Sequence, residues 1–225
     1  MLITIADVLE PAELAALRAD LETATWVDGE RSAGRQARAV KHNRQIAGDD
    51  PLHKRWAQPI GHALGRSIMF MRAARPRHTL PPLFSRYEGG ETYGLHVDNA
   101  LRTAGALQLR ADLAATLFLS DPDSYDGGEL SIETRFGPQT VKLPAGHMVL
   151  YPASSRHQVT PVTRGCRLAA IFWIQSMIRE DAARELLFEL EQATRSLGEE
   201  IGVNDPRVLV LSATVQNLLR RWAET

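Results

Sequence analysis

Residues 141–176 read VKLPAGHMVLYPASSRHQVTPVTRGCRLAAIFWIQS. Three short runs within it, 148–151, 157–162 and 168–175, are rich in β-forming residues. Pro144-Ala145-Gly146 and Arg164-Gly165 mark turns between them. The same texture runs upstream through 83–87, 114–120, 129–133 and 139–143, punctuated by Gly89-Gly90, Asp126-Gly127-Gly128 and Gly137-Pro138. Many short strands at this spacing predict a sandwich, a jelly roll or a barrel.

Working outward, the period changes on both sides. Up to about residue 75 the chain reads mostly helical: Pro11 suits a first helical turn, and Leu14, Leu17 and Leu21 then share a face. A second helix is expected from Pro51, where Leu52, Trp56, Ile60, Leu64 and Ile68 recur every four residues. After Ser176 the stripe Ala183, Leu186, Leu187 and Leu190 predicts another helix. After Asp205-Pro206, Val208, Leu211, Val215, Leu218 and Trp222 predict the last. The expected fold class is therefore α+β, with an N-terminal helical region (1–79), a strand-rich core (80–178) and a C-terminal helical region (179–225). The final helices pack on their own domain or, alternatively, form the seam of a homo-oligomer. Between the first two helices, residues 29–41 carry Arg31, Arg35, Arg38 and Lys41 among small residues, and read as a basic loop, either a solvated linker or a substrate-facing lid.

Composition narrows the function classes. With 44% apolar and 24% charged residues the chain has the balance of a globular protein rather than a disordered one. A net charge of -1 gives no global pull toward nucleic acid or anionic membrane, so neither is expected as a partner. The single cysteine, Cys166, rules out an intrachain disulfide and suits a reducing compartment. The N-terminus has acids where a signal peptide carries Lys or Arg, and no apolar run approaches the ~20 residues needed to span a bilayer. The expected location is cytoplasmic.

The chemistry is concentrated in RYEGGETYGLHVDN, residues 86–99. His96 and Asp98 are two apart, so on an extended strand both side chains point to one face and can converge on one metal ion. Two histidines and one carboxylate make the facial triad of non-haem iron(II), which leaves positions open for co-substrate and oxygen. His157 is the candidate third ligand; His147, at the Pro-Ala-Gly turn, is its rival. Arg167 opens the apolar strand RLAAIFWIQ, where a charge is costly to bury without a partner, and a dicarboxylate would supply one. A salt bridge to a nearby acid or an exposed strand start would explain Arg167 equally. His42, His53, His62 and His78 lack ligand spacing. Gly127-Gly128 precedes no helix, so it reads as a strand-opening turn rather than a phosphate loop. Arg66, Arg72, Arg75 and Arg77 read as a solvated helix end.

The runs FSRYEGGETYGLHVDNA, ATLFLSDPDSYDGGELSIE, VKLPAGHMVLYPASSRHQVTPVTRGCRLAAIFWIQS and MIREDAARELLFELE resemble the PKHD-type hydroxylases. These bacterial proteins belong to the prolyl 4-hydroxylase-like branch of the Fe(II)/2-oxoglutarate dioxygenases, and the similarity spans nearly the whole chain. The resemblance implies a double-stranded β-helix, a jelly roll, flanked by helices. It implies His96, Asp98 and His157 as iron ligands, Arg167 on the distal carboxylate of 2-oxoglutarate and Tyr87 at the other end of that co-substrate. It also implies L-ascorbate as a reductant and a link to bacterial iron uptake, with a siderophore-related molecule or an uptake protein as substrate. Trp173 matches an aromatic wall position, and His147 stands where relatives tend to carry an acid.

Two same-fold activities fit less well. A halogenase lacks the carboxylate ligand that Asp98 offers, and a nucleic-acid dealkylase carries an RxNxTxR-like tail where this chain has TRGCRLAA. A jelly-roll module that binds a metal or small ligand without turnover is the alternative from another class.

Overall fold

The apolar run near the end of the strand region forms one long strand, Cys166–Ser176, at the centre of the larger sheet. The computed structural model describes residues 1–32, 34–105 and 107–224. In chain order the first strands are β1 (Ile3–Ile5), β2 (Trp26–Asp28), β3 (Lys41–His42), β4 (Arg44–Ile46), β5 (Pro76–Thr79), β6 (Leu83–Glu88), β7 (Thr92–His96), β8 (Leu101–Ala104) and β9 (Leu107–Arg110). Then come β10 (Leu113–Phe118), β11 (Asp126–Gly127), β12 (Leu130–Thr134), β13 (Gly137–Val141), β14 (Met148–Pro152), β15 (His157–Val159), β16 (Val162–Arg164) and β17 (Cys166–Ser176). The helices are α1 (Pro11–Glu22), α2 (Arg35–Arg38), α3 (Pro51–Arg66), α4 (Ile68–Ala74), α5 (Asp181–Ile201) and α6 (Pro206–Trp222).

The larger sheet has the order β1-β14-β10-β17-β6-β4-β2, with β5 also paired to β17; the smaller has the order β13-β12-β15-β7-β3. Pairing within both is antiparallel, which is the jelly-roll arrangement, and helices cover one face. Side chains alternate across each strand, and that parity sorts the core. On β17, Ala170, Phe172 and Ile174 join Leu17, Trp56, Ile60 and Phe70 in the layer beneath α1, α3 and α4. Trp173 and Ile171 point the other way, into the layer between the sheets with Tyr87, Phe118, Leu130 and Val149. Arg167 has the same odd parity. Strand β10 divides alike, with Leu113, Ala115 and Leu117 toward the helices and Ala114 and Phe118 between the sheets.

The first 79 residues hold the expected helices but also five short strands that extend both sheets. Strands of two or three residues are too short to show a period. The run Leu52 to Ile68 is also not one helix. Ser67 ends α3 and its hydroxyl accepts from the Phe70 N–H at 3.2 Å, starting α4 and leaving Ile68 exposed. Strand β8 pairs with β9 in a hairpin that composition did not announce. Gly165 has a φ of +71°, and a Cβ there would lie 2.2 Å from the Ser124 carbonyl oxygen, so this turn into β17 needs glycine.

The C-terminal helices pack on their own chain through Ile178, Leu187 and Val215. Glu191 of α5 pairs with Arg75, and with Arg72 at 3.4 Å, while Arg66 pairs with Glu13 at 2.8 Å. Three of the four arginines read as a solvated helix end thus tie helices together. Among the described residues no helix is long and apolar enough to cross a membrane.

The parity of β17 makes a stability prediction. Phe172→Ala empties volume on the helix side only, so unfolding free energy should drop by about 3–5 kcal/mol. Denaturant titration would show this as a lower midpoint, whereas a change under about 1 kcal/mol would mean the layer is not the main core.

Candidate metal centre

His96 and His157 meet because β7 and β15 pair, and the two residues are direct register partners. Their rings lie 4.3 Å apart at the centroids. Asp98 comes from just beyond β7, which ends at His96, so the carboxylate reaches in from a loop rather than from the strand. One ligand atom from each of His96, Asp98 and His157 falls within 4.8 Å of the other two, and His157 Nε2 is 3.9 Å from Asp98 Oδ2. Of the seven histidines, these two are brought together. His147 sits elsewhere, its Nδ1 accepting from the Asp7 N–H at 3.4 Å. His53 stacks on Phe84, and His42 lies 4.0 Å from Glu30.

Local backbone sets the tautomers. His96 donates its Nδ1–H to the Gly94 carbonyl at 2.8 Å, and His157 donates its own to the Ser155 carbonyl at 3.0 Å. Each Nε2 therefore keeps a lone pair facing the cluster, the arrangement a metal-binding imidazole requires. Burial, and then the neighbouring His157, push His96 down to about 4, so its ring is neutral at ordinary pH. The Tyr93 ring stacks on His96 at 3.6 Å and the Tyr151 ring meets His157 edge-on at 5.1 Å, which fixes both imidazoles from behind. Burial and the Asp98 charge raise both phenols far above their usual range, so both stay protonated.

These groups line one pocket. Its opposite wall is the odd face of β17: Arg167, Ile171 and Trp173. Arg167 is 1% exposed, its guanidinium carbon 5.2 Å from the Tyr87 ring and 5.4 Å from Phe118. Its Nε and one terminal nitrogen have no hydrogen-bond partner, nor do the buried hydroxyls of Tyr87 and Tyr125. Among the described residues no carboxylate lies within 4.0 Å of Arg167, so the salt-bridge explanation for its burial fails. A buried cation is costly unless paired, and among the described residues none supplies the matching anion.

Two further cations complete the pocket: Arg102, which the sequence did not single out, and Lys41 of the basic loop 29–41. Arg102 of β8 lies flat on Trp173, its guanidinium carbon 3.4 Å from the ring centroid. Lys41, buried, places Nζ 5.1 Å from the Tyr93 ring; burial and then the Arg102 cation bring it down to about 8, against the pull of Asp98 and Asp28. Gly34, Ala37 and Lys41 show that the basic segment 29–41 contributes to the pocket wall, while Ala33 and the side chains of Arg31 and Arg35 lie outside the described residues. A lysine or arginine among small residues gives no signal separating it from a surface charge.

Residues 82–175 match the 2OG-Fe(II) oxygenase superfamily, and residues 181–224 match the PKHD-type hydroxylase C-terminal domain. Across the full length of both chains the protein is 53% identical to a PKHD-type hydroxylase of Bordetella pertussis and 50% identical to one of Phenylobacterium zucineum. Among solved structures, a prolyl-4-hydroxylase of Pseudomonas putida is similar with a TM-score of 0.52 at 20% identity, covering 78% of this chain and 92% of that one. HygX of Streptomyces hygroscopicus, solved with nickel, 2-oxoglutarate and hygromycin B, has a TM-score of 0.52 at 17% identity, covering 80% and 84%. At these identities the two structures speak for the fold, which is the expected jelly roll.

The two candidate third ligands predict opposite outcomes. His157→Ala should weaken cobalt(II) binding at least about 100-fold, beyond the 10–100-fold typical of losing an outer hydrogen-bond partner. His147→Ala should leave it unchanged. Visible absorbance of the cobalt protein reads both, and a reversed pattern would move the site to the other histidine.

Proposed function

The chain belongs to the PKHD-type hydroxylases of the 2OG-Fe(II) oxygenase superfamily, and from that premise we propose that His96, Asp98 and His157 hold its iron(II) while Arg167 receives the distal carboxylate of 2-oxoglutarate. The observation that carries this reading is the buried guanidinium of Arg167, with Nε and one terminal nitrogen unpartnered, in the same pocket as the converging triad. Two imidazoles and one carboxylate suit a divalent cation that must keep positions open. A carboxylate meeting the planar fork of Arg167 would satisfy its orphaned nitrogens with charge-assisted bonds. The unpartnered Tyr87 hydroxyl, on the register partner of Arg167, is a further donor for the co-substrate.

When bound, iron(II) would activate dioxygen, one oxygen atom of which would enter a substrate C–H bond as hydroxyl while the other would go into succinate as 2-oxoglutarate loses carbon dioxide. The chain's own residues supply geometry. The Gly94 and Ser155 carbonyls hold the ligand tautomers, and Tyr93 and Tyr151 keep the rings from turning. The apolar layer around Leu130, Ile171 and Val159 excludes water from the wall beside them. No side chain is assigned as a general acid or base. The resemblance that carries a link to bacterial iron uptake makes a siderophore-related molecule or an uptake protein the substrate class to test first, with L-ascorbate as reductant.

Arg167 separates this reading from a structural role. Arg167→Ala should weaken 2-oxoglutarate binding by about 100-fold, and Arg167→Lys, which keeps charge without the fork, by about 10-fold. Iron(II) affinity should hold in both. Anaerobic titration followed by the visible band of the iron(II)–2-oxoglutarate chelate measures the effect; an Arg167→Ala protein that binds like the parent would remove the co-substrate assignment.

A further inference from the structure

Three cations, Lys41, Arg102 and Arg167, line the pocket against a single carboxylate, Asp98. A divalent metal and a dicarboxylate co-substrate cancel one another in charge, so the surplus positive potential persists with both in place. Arg167 and Trp173 stand six residues apart on the same face of β17, about 20 Å by the rise of an extended strand. The Arg102–Trp173 stack therefore lies well away from the end of the pocket assigned to 2-oxoglutarate.

Arg102 is built as a receptor rather than left as a surface charge. Its face is pinned against the indole, so the donors at its edges are pre-oriented, and it lines the pocket rather than bulk solvent. Among the described residues it makes no ion pair and no side-chain hydrogen bond. The Trp173 indole N–H beneath it is also without a partner, although Trp173 is 7% exposed. Lys41 stands close enough to Arg102 to be repelled by it, and the Asp98 carboxylate attracts both.

We propose that the substrate carries a carboxylate, and that Arg102, stacked on Trp173 and flanked by Lys41, is the specificity-determining residue that clamps it beside the metal cluster. This inference rests on the assignment of Arg167 to 2-oxoglutarate. A planar guanidinium edge matches a carboxylate with two parallel hydrogen bonds, and the indole N–H offers a further donor to the same group or its neighbour. A neutral substrate would leave the guanidinium unmatched in a half-buried place, and would be discriminated against for that reason.

The test uses protein loaded with zinc(II), which cannot turn over. Calorimetry first measures 2-oxoglutarate; the saturated protein is then titrated with N-acetylglycine and with its neutral amide. The acid should bind at least about 10-fold more tightly than the amide, and less tightly as salt is raised. Arg102→Met should lose at least about 10-fold in affinity for the acid, and Arg102→Lys should fall between, with 2-oxoglutarate affinity unchanged in both. Equal binding of acid and amide, no binding of the acid across the millimolar range, displacement of 2-oxoglutarate by the acid, or a parent-like Arg102→Met would each overturn the clamp. Failure of the parent to bind 2-oxoglutarate in the first titration would instead overturn the Arg167 assignment, and the clamp with it.

Discussion

Strand β17 is buried on both faces, and the two faces have opposite duties. Its even positions are wedged under the helices, where shape and volume decide what fits. Its odd positions look into the pocket, where Arg167 and Trp173 present polar atoms to empty space. A slip of one residue would exchange the faces, placing a guanidinium among aliphatic side chains and Phe172 in the pocket. Hydrogen bonding on both sides, to β10 and β6, prevents that slip. The helical layer and the pocket are therefore held in register by the same backbone.

The cluster depends on a second register. The pairing of His96 with His157 is made by a short strand that ends at His96, and the carboxylate follows from the loop. What the short strand lacks in length is made up by packing: two phenol rings press on the imidazoles, and two carbonyls fix their protons. The two imidazoles of the candidate site are thus oriented by backbone atoms and by phenol rings that do not change charge near neutral pH.

How much of this was legible depended on the length of the signal. The long strand of β17, the amphipathic C-terminal helices and the apolar recurrence after Pro51 all carried enough residues to be read. The two-residue strand at Lys41–His42 and the short strands at Trp26–Asp28 and Arg44–Ile46 did not, so the N-terminal third looked more helical than it is. At the site, spacing and resemblance pointed to His96, Asp98, His157 and Arg167, since each stands in a distinctive context. The fold brings His157 beside His96 and Asp98 and leaves His147 elsewhere. Arg102 escaped notice because its meaning lies in the indole it touches, seventy-odd positions away, and no local pattern announces a cation stacked on a distant ring. Lys41 read as part of a mobile basic stretch for the same reason.

The register pair at the cluster has a consequence for the chain as a polymer. His96 and His157 are separated by two hairpins' worth of sequence, and one ion bound to both would join them as a reversible staple. Unlike a disulfide, such a staple would be lost on unfolding, so it would stabilise the folded chain by mass action rather than by constraining the unfolded one. It would need no cysteine and no oxidising compartment, and a chain with one thiol would gain from a bound ion a cross-link that its covalent chemistry does not provide.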